Sequence, residues 1–184
     1  MLEYSHGKRI VAIDDSYSWQ KSFKFTEERV LEQYKRPKPS SKTLPDEYYR
    51  TVAQSNLELL IPIIEKHEDT DFYFFFPPYS ILWWDNQILT GRLRAMLWMT
   101  QYIIETLQQY PNVAVFYFQN QPEIICDLNN YRESMHFSQD INHWEAECLS
   151  DGRFRVNVGE AVDVMREMKK TVLAFDYEAE YGQN

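Results

Sequence analysis

The chain has 184 residues, with 28 Asp plus Glu against 19 Lys plus Arg and a formal net charge of −9. That length suits one domain, or one domain with a tail, and is enough to bury a core without disulfide staples or a structural metal. The acidic balance argues against nucleic acid and against an anionic membrane surface, which both call for clustered Lys and Arg, and an aromatic share of 16% excludes a disordered acidic chain.

In chain order, the first element is the β-branched run at residues 9–13, which reads as a strand ending in the turn residues Asp14, Asp15 and Ser16. A helix is predicted over residues 19–34. Residues 35–42 are basic and rich in Pro and Ser, and read as a solvated linker. They separate an N-terminal segment, residues 1–42, from the main α/β portion, residues 43–184. Thr43 is the predicted N-cap of a helix that carries Tyr49, Ala53, Leu57, Leu60 and Ile64 on one face, with a kink expected at Pro62.

Phe72–Phe76 follows, apolar without alternation, the pattern of a strand covered on both faces as in a parallel sheet. A helix over residues 89–110 and a second doubly covered strand over residues 113–118 complete a βαβ unit. Pro77–Pro78 suits an extended kink or a cis bond. Two amphipathic helices are predicted near residues 139–149, with Ile141, Trp144 and Cys148 on one face, and near residues 158–175, with Val158, Val162, Met165 and Val172. The fold class is therefore α/β.

Cys126 and Cys148 read as buried thiols in preference to a disulfide. The opening residues carry no signal-peptide pattern, and no stretch of about 18 apolar residues is present to span a membrane. Five glycines make no phosphate-binding loop, and no His, Cys or carboxylate set repeats at metal spacing, so no cofactor and no metal is expected.

In an open α/β sheet the working residues sit on loops beyond the carboxyl ends of the strands. Three loops qualify: residues 14–18, residues 77–84 and residues 127–137. The third is the most informative, with Asp127, Asn129, Asn130, Tyr131, Glu133 and His136 within ten residues. A carboxylate three residues before a histidine can hydrogen-bond the imidazole, fix its tautomer and stabilise its protonated form. The other reading of the same spacing is a carboxylate that closes a turn beside an ordinary surface histidine. Asn130 could donate to an oxyanion or only build the turn. Tyr79, Trp83, Trp84 and Tyr131 could stack on a sugar ring or pack in the core.

Phe74 to Trp84 (FFFPPYSILWW), Asn112 to Phe118 (NVAVFYF) and Asp127 to Ser138 (DLNNYRESMHFS) together resemble the C-terminal half of bacterial SGNH/GDSL-like hydrolases, relatives of the acyl-transfer proteins of cell-envelope polysaccharides. The resemblance extends over residues 52–177. It implies a flavodoxin-like three-layer sandwich with a parallel sheet, present here in part. In that family the last block reads Asp-x-x-His: the His is the general base and the Asp orients it. His136 matches the His, and Glu133 stands in the Asp position, one methylene longer. The family's nucleophile lies in a Gly-Asp-Ser or Gly-Ser-Ser turn after the first strand, and further blocks supply a Gly and an Asn to the oxyanion hole. This chain has no Gly-x-Asn-Asp pattern. Its one candidate nucleophile turn places Ser16 after a β-branched strand, with Asp14 where the family has Gly.

The resemblance thus implies an ester hydrolase or O-acyltransferase acting on a carbohydrate polymer, with a carbohydrate or acyl-ester substrate held by Tyr79, Ser80, Asn130 and Tyr131. It also suggests a cell-envelope setting. The nucleophile is Ser16, or lies upstream of this chain, or has been lost. The alternative is a non-catalytic glycan-binding, protein-binding or scaffold module of the same fold. An incomplete sheet would leave a strand edge, expected to be covered by residues 1–42 or by a second copy in a homodimer.

Overall fold

The structure is a computed structural model, and it describes residues 23–40 and 42–181. The strand expected at residues 9–13 and the candidate Ser16 lie outside the described residues.

The first described helix, α1 (Glu27–Gln33), begins only after the non-helical residues 23–26 of the span expected to be helical, whose residues 19–22 lie outside the described residues. Thr26 is extended, and its hydroxyl accepts from the Arg29 N–H at 3.3 Å, so the helix starts there with Glu27 and Glu28 in its first turn. The following residues are not the solvated linker expected. Tyr34 and Arg36 both reach the buried carboxylate of Asp85, and the Ser40 N–H donates to the Leu89 carbonyl at 2.7 Å. The segment is a strap, held because a buried carboxylate needs donors.

Helix α2 (Asp46–Lys66) is capped by Pro45 and not by Thr43; Pro disfavours helical geometry in the residue before it, so the helix begins just after it. Tyr49, Ala53, Leu57 and Ile64 face the core as the spacing predicts, but Leu60 is 36% exposed and Ile61 packs inward in its turn. The helix continues through Pro62 on its solvent side.

Among the described residues the sheet has two parallel strands, β1 (Phe72–Phe76) and β2 (Val113–Tyr117), in register from Phe72 opposite Val113 to Phe76 opposite Tyr117. Their crossover holds two helices, α3 (Ile81–Leu89) and α4 (Leu93–Leu107), where a single one was expected. The break falls at Gly91, whose φ is +71° and whose missing Cβ would lie 2.9 Å from the Thr43 methyl. Thus Trp83 and Trp84 sit on a helix, not a loop.

Beyond β2 come α5 (Pro122–Ile125), a 3₁₀ turn (Leu128–Asn130), α6 (Gln139–Asp151), α7 (Ala161–Ala174) and α8 (Tyr177–Tyr181). On α7 the buried set is Ala161, Met165, Met168 and Val172, while Val158 and Val162 are exposed. Val158 lies in the turn before the helix, closed by the Asn157 N–H on the Glu160 carboxylate at 2.9 Å.

The main core lies between the helices and the sheet face bearing Phe72, Phe74 and Phe76. On the other face Phe116 and Phe118 meet Trp144 and Cys148 of α6, and Phe154. β2 is covered on both faces, as predicted. β1 is not: Tyr73 is 55% and Phe75 44% exposed, because α6 lies over β2. Cys126 and Cys148 are both free. The chain is mixed α/β, mostly helical, around a small parallel sheet, and no described helix is long and apolar enough to cross a membrane.

Candidate functional site

The Pro77–Pro78 bend after β1 and the loop over residues 131–138 meet beyond the carboxyl ends of the strands. The described backbone has no cis peptide, so the bend is made in trans. Three contacts fix the loop to it. The Tyr131 hydroxyl donates to the Pro78 carbonyl at 2.6 Å, and Ser80 donates to the Ser134 carbonyl twice, from its N–H at 3.1 Å and its hydroxyl at 2.8 Å. The loop closes on itself through the Arg132 N–H on the His136 carbonyl and the Ser138 N–H on the Asn130 carbonyl, each at 2.8 Å. Its entry is an Asx turn, in which the Asp127 carboxylate accepts from the Asn129 N–H at 3.0 Å.

Glu133 and His136 face each other within this loop. One carboxylate oxygen accepts from the His136 N–H at 2.9 Å and lies against the ring Nδ1; the other accepts from the Met135 N–H at 3.1 Å. Burial pushes the Glu133 carboxyl up, but the imidazole and the two N–H groups more than offset this and leave it below the usual carboxylate range. The His136 side chain is 78% exposed. Its Nδ1 edge is thus turned to a carboxylate and its Nε2 edge to solvent. Chemically, that arrangement can take a proton at Nε2 while the carboxylate fixes the tautomer.

The other expected residues divide. Ser80 and Tyr131 are fully buried, with their hydroxyls on main-chain carbonyls, so they hold the loop and present no surface to a substrate. Asn130 donates to the Ile124 carbonyl at 3.1 Å, which makes it a turn builder here. Tyr79 is half-buried, its ring 4.9 Å from that of Trp83 and next to Ser80 on the loop contact. The structure therefore brings Glu133, His136, Tyr79, Ser80, Asn130 and Tyr131 to one end of the sheet.

Arg132 was not picked out from the sequence, since a single arginine carries no spacing signal. Its guanidinium lies 3.8 Å from the centre of the Phe23 ring, at the rim of a solvent-open depression also bordered by Arg29 and Glu32. Among the described residues no three His, Cys, Asp or Glu side chains converge as metal ligands do. No family model, no curated protein and no solved structure matches the chain.

Proposed function

We propose that this chain is the C-terminal part of an SGNH-type ester hydrolase or O-acyltransferase acting on an acylated carbohydrate polymer, built as part of a flavodoxin-like three-layer sandwich. The observation that carries the reading is the Glu133–His136 pair. A half-buried carboxylate is locked to Nδ1 by the loop's own N–H groups, and the ring's opposite edge is open, beyond the carboxyl ends of a parallel sheet. In this reading His136 takes the proton from the serine that attacks the ester carbonyl, then delivers it to the departing sugar oxygen. Glu133 orients the imidazole and stabilises its protonated form. Ser80 and Tyr131 act through the loop, as positioning residues.

A second reading, a non-catalytic glycan- or protein-binding module, draws support from the half-buried Tyr79–Trp83 pair beside the loop. Hydrolysis of an activated acetyl ester separates the two. The catalytic reading expects the full-length protein to turn the ester over and His136→Ala to lower kcat about a thousandfold or more, with a fluorophosphonate probe labelling the serine. Turnover unchanged in His136→Ala removes His136 from the mechanism. Absence of both turnover and labelling favours the binding module.

A further inference from the structure

We infer that the groove between α4 and α7 binds a single-chain anionic amphiphile, with its alkyl chain along the groove and its carboxylate at Arg94. The groove is separate from the loop over residues 131–138 and lies about 13 Å from it along α3. Ser80, before that helix, touches the loop, whereas Ile88 and Gly91, at its far end, border the groove.

The groove has an apolar bed and charged borders. Helices α4 and α7 pack together, and the depression along their seam holds about 540 Å³. Leu97 and Met165 are buried beneath it and Leu93 is half-buried. Trp98 of α4 and Val162 of α7 stand on its lips, 36% and 45% exposed. That volume falls in the range of small-molecule sites, which are mostly apolar with a few polar groups that fix orientation. A protein interface takes about 20–30 residues a side, and two exposed apolar side chains fall far short of that.

Charge selects the sign of the ligand. The chain carries 28 Asp plus Glu against 19 Lys plus Arg, yet the groove is bordered by Arg94, Arg166 and Lys169 and by no carboxylate. Arg166 is paired with Asp163 and Arg94 with Asp46, while Lys169 meets no carboxylate among the described residues. A second hollow of about 100 Å³ places the head group. It shares Arg94 and Trp98 with the groove and adds Asp46, Tyr49 and Arg50. Tyr49 is 6% exposed, and its hydroxyl has no hydrogen-bond partner among the described residues, so a buried donor stands unused beside two guanidinium groups. The bond between Arg94 and Asp46 is solvent-exposed and therefore weak. A ligand carboxylate takes the place of Asp46 on Arg94 and draws on the unused donor, while its chain lies in the adjoining apolar bed.

Decanoate, kept below its micelle-forming concentration and titrated into the isotope-labelled 184-residue chain, tests this. It should bind saturably and move the Trp98 indole resonance and the amides of α4 and α7 that border the groove. It should also bind at least about tenfold more tightly than decyltrimethylammonium, which has a tail of matched length and the opposite charge. Val162→Glu sets a like charge in the apolar bed from an exposed position and should weaken binding at least about tenfold. Lys169→Glu, exposed too, serves in its place if Val162→Glu disturbs the fold. Asp46→Asn removes the competitor for Arg94 and should tighten binding about two- to fivefold. Absence of saturable decanoate binding overturns the inference, as does equal or tighter binding of the cation, or an Asp46→Asn variant that binds no more tightly. Resonances of Trp98 and Val162 that shift with protein concentration in the absence of decanoate also overturn it, since they mark a second copy seated in the groove.

Discussion

Two acidic side chains, one in the loop and one in the middle of α6, behave in opposite ways, and both follow from their donors. Glu133 collects N–H groups from its own loop and is held ionised. Glu145, on α6, is only 4% exposed, and its Oε1 meets no donor among the described residues. Burial pushes its carboxyl up to about 7 from the ordinary 4.5. The folded state therefore holds a proton that the unfolded chain has released. Stability from this group is greatest below about pH 4.5 and falls as pH rises to about 7, a gap worth roughly 3 kcal/mol. Glu145→Gln cannot lose a proton, so its urea midpoint should fall less than that of the unaltered protein between pH 5 and pH 8. Parallel pH profiles for the two would show that Glu145 is ionised throughout. The sequence shows one of these residues and hides the other for a local reason. Glu133 and His136 are three residues apart in a turn, so their spacing already brings them together. Glu145 looks like any helix-surface glutamate until the direction in which α6 packs is known.

At the scale of elements, the strands were legible and their coverage was only half so. Phe72–Phe76 and Val113–Tyr117 are both continuous apolar runs. Composition marks them as strands of a buried sheet but does not say which strand α6 will cover, a matter of tertiary placement. The helix break at Gly91 was hidden in the same way, because the approach of Thr43 that demands glycine comes from a distant segment. The join between α2 and β1 rests on one such distant contact. The Asn112 side-chain amide donates towards the carbonyls of Ile64, His67 and Thr70, at 3.3, 3.1 and 3.2 Å. The Ile64 carbonyl lies in the last turn of α2, where the helix dipole is negative, and it also accepts from the His67 N–H at 3.3 Å. Asn112→Asp keeps the shape, removes the donors and sets a negative charge against three acceptors. It should destabilise the fold by about 2–4 kcal/mol, more than Asn112→Ala, which only removes the donors. Denaturant titration of the two variants reads the order directly; an alanine variant weaker than the aspartate would mean that side-chain bulk, not hydrogen bonding, holds the join.

For the whole molecule, the strap over residues 34–40 ties the front of the chain to its end. Arg36 grips Asp85 of α3 with Nε at 2.7 Å and Nη2 at 3.1 Å, the Tyr34 hydroxyl adds a bond at 2.9 Å, and Nη1 reaches Glu178 of α8 at 2.6 Å. A basic Pro/Ser segment reads as a solvated linker because nothing local reveals that a buried aspartate, forty-nine residues on, requires its arginine. The two halves of this network should differ sharply in worth. Asp85 is 1% exposed, so removing its guanidinium leaves a buried charge with one tyrosine hydroxyl to solvate it. Removing one partner of a buried pair typically costs about 3–5 kcal/mol. Glu178 is exposed, and water replaces it at a cost of less than about 1 kcal/mol. Arg36→Lys should recover only part of the loss, because an ammonium cannot span both carboxylate oxygens as the guanidinium does. Urea unfolding of Arg36→Ala, Arg36→Lys and Glu178→Ala should therefore rank them in that order, from most to least destabilised. If Arg36→Ala proves as mild as Glu178→Ala, Asp85 does not depend on the strap, and residues 34–40 are the loose connection their composition suggests.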